Sequence, residues 1–160
     1  MRSRAEAGGA IADPVGTPPY RDPMPTYPTL LHTVLDTTEP RRLAEFYREL
    51  LGLKYRPGDE PPTDDSPDDA DWLVLTDADG VRKLAFQEVE RLERTTWPDH
   101  QVPMQLHLDM TVPTVEELET QRERALALGA TQVLDRSDDE VEPLYVFADL
   151  SGHPFGIFLA

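Results

Sequence analysis

Two short stretches of this sequence repeat the same order of signals, and this repeat limits the fold more than any other feature. Each is an apolar run with one histidine in its middle: residues 30–36 contain His32, and residues 104–110 contain His107. A helix pattern follows each run at once. A repeated strand, histidine and helix indicates a duplicated unit, with the two histidines facing each other across a pseudo-twofold axis.

The helix patterns are amphipathic and carry their own start and stop signals. In the first, apolar residues recur at i, i+3, i+4, i+7 and i+8 and so form one buried stripe: Leu43, Phe46, Tyr47, Leu50 and Leu51. Thr38 is the expected N-cap and Gly52 the expected end. In the second helix Thr114 and Glu117 match the capping box, and Gly129 is the corresponding stop.

Short strand-like runs follow each helix, and the order of elements predicts the architecture. The runs are 53–56, 72–76 and 83–89 in the first half, and 131–135, 143–148 and 155–159 in the second. Residues 57–71 are rich in proline and acid and predict a solvated loop, too charged to pack. We therefore expect an α+β fold of two tandem βαβββ modules that form a half-open sheet cleft.

The predicted boundaries give one domain after a proline-rich N-terminal segment. Residues 1–28 hold little apolar material and are expected to be flexible or extended. The domain is 29–160, with module one at about 29–90, a polar linker at about 91–103 and module two at about 104–160. His100 lies in that linker and is expected to be exposed.

Composition narrows the classes of partner. A net charge of −16 argues against nucleic acid, whose phosphates need a basic patch. Apolar runs long enough to cross a bilayer are absent from the sequence. The lack of cysteine excludes disulfides and thiolate metal sites and is consistent with a cytoplasmic protein.

Several motifs resemble the glyoxalase-like members of the vicinal oxygen chelate superfamily, the group of glyoxalases, bleomycin-resistance proteins and dioxygenases. The resemblance rests on five runs of sequence: 30–35, 43–53, 84–87, 106–109 and 149–155. It covers the chain from about residue 29 to the end. It implies a cleft between two βαβββ modules and a homodimer.

The resemblance also implies a divalent metal held by one side chain on the first strand and one on the last strand of each module. His32, Gln87 and His107 fall at three of these positions, and they suit zinc, nickel, iron or manganese. The fourth position falls at Gly156, which has no side chain, where metalloenzymes of the family usually carry glutamate. Asp109 lies on the same strand face as His107. It is predicted to complete a metal site, to hold a histidine or ligand, or to pair with an arginine at the cleft edge.

Three classes of function remain open at the sequence level. The first is a protein that binds a small organic molecule without a metal, with four polar anchors: His32, Gln87, His107 and Asp109. The second is a metal-dependent lyase, isomerase or dioxygenase with a rearranged site. The third is a structural or regulatory domain without chemistry. Because Gly156 cannot supply the fourth metal ligand, the first class of function is favoured. Two further residues have predicted roles. Trp97 is expected to act as a lid or a dimer contact, and His153 is expected to pack in a turn.

Overall fold

A computed structural model describes residues 28–64 and 66–160 of the chain. Residues Leu31–Ala160 form one compact unit. The predicted N-terminal segment, 1–28, lies outside the described residues except for its last residue. The elements are β1 (Thr33–Thr37), α1 (Pro40–Leu51), β2 (Lys54–Tyr55), β3 (Trp72–Thr76), β4 (Arg82–Glu88), β5 (Leu108–Val112), α2 (Val115–Ala127), β6 (Thr131–Arg136), β7 (Leu144–Ala148) and β8 (Pro154–Leu159).

The strands form two four-stranded mixed sheets of the same design. The first has the order β1-β4-β3-β2 and the second β5-β8-β7-β6. In each sheet the first and last strands of the module are parallel, and the other pairs are antiparallel. The predicted α+β architecture of two βαβββ modules is confirmed.

The two histidines stand immediately before their strands, not in the middle of them as the sequence pattern predicted. β1 begins after His32 and β5 after His107. In module two, the register pairs Leu108 with Phe155. The next pair outward would place His107 beside Pro154, which has no N–H to donate to the ladder. Each of the two imidazoles therefore belongs to the residue just before the first strand of its module.

The predicted helix ends are correct in three places and wrong in one. Gly52 ends α1 in the left-handed conformation with φ 65°, and Gly129 has φ 103° after α2. The Thr114 hydroxyl accepts a hydrogen bond from the Glu117 N–H at 3.1 Å, as a cap should. Thr38 is not the cap of α1, because the chain turns one residue later and Pro40 opens the helix without a side-chain cap.

One aromatic core joins the two modules on the helix side of both sheets. Phe46 of α1 lies 5.8 Å, between ring centroids, from Phe155 of β8. Phe155 in turn stacks on Phe147 at 5.2 Å, and Tyr47 stacks on Phe86 at 5.9 Å. We call this set the helix-side core. Because it contains side chains of both modules, each half completes the burial of the other.

The acidic loop, 57–71, is exposed as predicted and is tied to its neighbours by a few polar contacts. Asp59 accepts a hydrogen bond from the Val74 N–H at 2.9 Å, next to β2. Arg41 of α1 binds the Asp68 carboxylate at 2.6 Å and the Asp59 carbonyl at 2.7 Å. Nearly all described residues of 57–71 are exposed, which agrees with the predicted solvated loop, and one ion pair with α1 ties the loop to the helix. Among the described residues no helix is both long and apolar enough to cross a membrane.

Candidate functional site

The sheet face that module two turns away from α2 holds a cavity of about 310 Å³, which we call the module-two cavity. Its polar lining residues are His107, Asp109 and Arg136. The remaining lining residues are mostly apolar and come from the linker, from Met104 and from β6, β7 and β8: Trp97, Met104, Leu134, Leu144, Val146, Pro154, Phe155, Gly156 and Phe158. An apolar pocket with a few convergent polar groups is the usual form of a small-molecule site.

His107 and Asp109 form a pair at the polar edge of this cavity. Nε2 of His107 lies 3.5 Å from Oδ2 of Asp109, and both side chains are about half exposed. Arg136 is held by the Asp139 carboxylate instead. Asp109 therefore lies beside a histidine, and its predicted role in a binding site stays a prediction. The pair offers a carboxylate and an imidazole to a ligand.

Gly156 lies directly opposite Asp109 in the parallel ladder of β5 and β8. A Cβ built on Gly156 would overlap Cε2 of Phe158 and would lie 3.1 Å from Oδ1 of Asp109. The space of the missing side chain is thus filled by an aromatic ring on one side and a carboxylate on the other. Sequence analysis did not predict a site role for Phe158, although its position two residues after Gly156 on one strand was a usable signal.

His32 and Gln87 lie on the corresponding face of module one and do not line the module-two cavity. The His32 ring is 6.2 Å from the Trp72 ring, and its Nδ1 is buried with no hydrogen-bond partner in the part of the chain described. Burial lowers the pKa of His32, and the positive charges of Arg82 and Arg56 lower it further. His32 is therefore a neutral imidazole at pH 7. Gln87 is exposed and sits opposite Trp72 in the ladder of β3 and β4.

These residues do not fit the four-ligand metal site that the family resemblance implies. Gly156 supplies no ligand, and the Phe158 ring occupies the space next to it. No three His, Asp or Glu side chains among residues 28–64 and 66–160 are grouped so as to hold a metal ion. His107 and Asp109 are brought together, while His32 and Gln87 remain on the other module.

A comparison with known protein families agrees with the observed fold. Residues 32–158 match the family model described as a glyoxalase-like domain. The chain belongs to this family. The match spans both modules. No curated protein matches the chain in sequence.

Two solved structures illustrate the shared fold. A glyoxalase/bleomycin resistance protein/dioxygenase family enzyme from Burkholderia phytofirmans has 15% identity and a TM-score of 0.58, covering 81% of this chain and 96% of its own. The fosfomycin resistance protein FosX from Listeria monocytogenes, in complex with Mn(II) and sulfate, has 18% identity and a TM-score of 0.57, covering 84% and 94%. At these identities the comparison establishes the glyoxalase-like fold alone.

Proposed function

We propose that this glyoxalase-like protein binds a small organic molecule in the module-two cavity, anchored by His107 and Asp109, without a metal at the family's four positions. The observation that carries the proposal is the environment of Gly156. There the Phe158 ring fills the space that a metal-binding glutamate would need, and Asp109 presents a carboxylate from the opposite strand. The polar edge and the apolar walls of the cavity are those of an organic-ligand site.

The lining of the cavity favours a ligand with an apolar body and a cationic or hydrogen-bond-donating group. Trp97 and Phe158 offer aromatic faces to a flat ligand. Asp109 supplies a negative charge at the polar edge, whereas Arg136 is already neutralised by Asp139. The chain as a whole carries a net charge of −16, which attracts cations to its surface.

The two tryptophans allow a direct test, because the sequence contains only Trp72 and Trp97. In a Trp72→Phe variant the single indole N–H signal in an NMR spectrum reports on the cavity. We expect benzylamine and toluene to shift this signal, and benzoate to bind more weakly than benzylamine. Asp109→Asn should reduce benzylamine affinity by about tenfold, the usual loss of one charge-assisted hydrogen bond.

The matched control is Trp97→Phe, whose remaining indole lies beside His32 outside the cavity. The probes should leave that signal in place. If all three probes leave the Trp97 signal unchanged, or shift both indoles equally, the proposed site is wrong.

Metal analysis tests the second half of the proposal against the alternative of a metal-dependent enzyme. The family's FosX neighbour is a manganese complex. We expect no stoichiometric Mn²⁺ or Zn²⁺ binding that depends on His107, as measured by elemental analysis after titration and dialysis. One equivalent of metal in the wild-type protein that is lost in His107→Ala would contradict the proposal and favour a lyase, isomerase or dioxygenase.

We further propose that the chain forms a homodimer, as the family resemblance implies. Gln87 at the end of β4 in module one is exposed and is free to contact a second copy. Light scattering coupled to gel filtration should give twice the chain mass of 18.0 kDa. A monomeric mass across micromolar concentrations would contradict this.

A further inference from the structure

A second cavity, which we call the junction cavity, lies where the two modules and the linker meet. Its volume is about 210 Å³, and it is lined by residues 34–36, 92–95, 103–106 and 151–154. It shares Met104 and Pro154 with the module-two cavity. The two cavities are therefore neighbours with a common wall.

A buried carboxylate, Asp149, organises the turn on one side of the junction cavity. Its side chain is 0% exposed. Oδ1 accepts hydrogen bonds from the backbone N–H groups of Ser151, Gly152 and His153 at 2.8–2.9 Å. Oδ2 accepts one from the Tyr47 hydroxyl at 2.9 Å. With donors on both oxygens, this carboxylate cannot rotate.

The same carboxylate fixes the ring of His153. Nδ1 of His153 lies 2.9 Å from Oδ2 of Asp149. Because a carboxylate only accepts hydrogen bonds, Nδ1 carries the proton, and in this tautomer Nε2 carries the lone pair of the ring. His153 lines the junction cavity and is 14% exposed. The ring thus offers a preoriented hydrogen-bond acceptor to this cavity.

Charged side chains around the junction cavity favour a ligand group that donates hydrogen bonds. Asp36 and Glu93 line the same cavity and contribute two carboxylates. The Arg94 guanidinium donates to the Leu150 carbonyl, and its carbon chain covers Gly152. Arg94 is therefore held as part of the wall.

We propose that the junction cavity is a second subsite, which takes a protonated amine or other hydrogen-bond donor at the end of an elongated ligand. Nε2 of His153 accepts the hydrogen bond, and the apolar part of the same ligand occupies the module-two cavity beyond Met104 and Pro154. This inference rests on the proposed function and specifies its ligand class: an arylalkylamine, with a ring and an amine separated by several carbons.

The test uses 4-phenylbutylamine as the long probe and benzylamine as the short one, with the Trp72→Phe protein as reporter. His153→Asn is the decisive variant, since the asparagine amide can still donate to Asp149 but has no counterpart of Nε2. We expect it to weaken 4-phenylbutylamine binding at least fivefold and to leave benzylamine within twofold. His100→Asn, at an exposed linker histidine, is the matched control and should change neither affinity.

The outcomes separate the two proposals. If benzylamine binds but His153→Asn leaves 4-phenylbutylamine unchanged, the second subsite is wrong and the module-two site stands. If benzylamine does not bind the reporter protein at all, both fail. Should His153→Asn not fold, the exposed pair Asp36→Asn and Glu93→Gln takes its place, and unchanged affinity for 4-phenylbutylamine would overturn the subsite. Imidazole ¹⁵N shifts give an independent readout, in which 4-phenylbutylamine must perturb Nε2 of His153.

Discussion

At the scale of single residues, three neighbouring residues on two strands, Asp109, Gly156 and Phe158, distinguish the site from the metal centre that the family resemblance implies. The family position on β8 is Gly156, and the nearest carboxylate is Asp109 on β5. Phe158 lies over the glycine, so a longer side chain at residue 156 has no free space. In module two a carboxylate therefore stands on the first strand, at Asp109, and not at residue 156 on the last strand. This arrangement supports the proposed organic-ligand site in the module-two cavity.

Gly156→Ala tests how tightly this arrangement is packed. The added Cβ would meet the Phe158 ring, which must move, so we expect a loss of about 1–2 kcal/mol in unfolding free energy. In a Phe158→Ala background the same change should cost little, because the clashing ring is gone. Urea denaturation of the wild type, the two single variants and the double variant gives the coupling free energy between residues 156 and 158. Additive costs would show that the ring does not fill this space.

At the scale of elements, α2 begins with a side-chain cap and α1 begins without one. Substitution of one threonine near each helix start tests this difference. Thr114→Ala removes a cap that bonds the Glu117 N–H and should lower the unfolding free energy by about 1 kcal/mol. Thr38→Ala is the matched control, because Thr38 caps nothing in α1. Its change should stay within about 0.5 kcal/mol. Equal losses in thermal or urea unfolding would contradict the cap assignment.

The ion pair of the acidic loop should make the free energy of unfolding depend on pH. The ion pair with Arg41 lowers the pKa of Asp68 below its ordinary value of 3.8. A carboxyl group with a lower pKa in the folded state stabilises the fold above pH 4 and loses this contribution as the pH falls through its folded pKa. Wild type should therefore exceed Asp68→Asn by less than about 1 kcal/mol at pH 7, and the two should converge near pH 2. A difference that is constant with pH would refute the ion-pair explanation.

At the scale of the whole molecule, one hydrogen bond crosses from α1 of module one to the 149–153 turn of module two. Burial and the Asp149 carboxylate raise the pKa of Tyr47 well above its ordinary value, so this phenol stays protonated and donates. Tyr47→Phe should cost about 1.5–3 kcal/mol, since it takes a donor from a buried charge. Tyr55→Phe, at a half-exposed contact with Glu45, is the control and should cost less.

The Tyr47→Phe and Tyr55→Phe proteins should each unfold in one urea transition because the two modules share a core. Two separate transitions would contradict this shared core.

The sequence by itself determined the elements and their repetition, because helix periodicity, glycine stops and alternating strands are local signals. It also placed His107 and Asp109 on one face. Only the tertiary structure decided where the two histidines lie, since the packing of Phe46 against Phe155 sets the modules relative to each other. The Phe158 ring over Gly156 and the bonds of Asp149 to Tyr47 and His153 likewise depend on contacts between side chains whose partners local patterns do not specify.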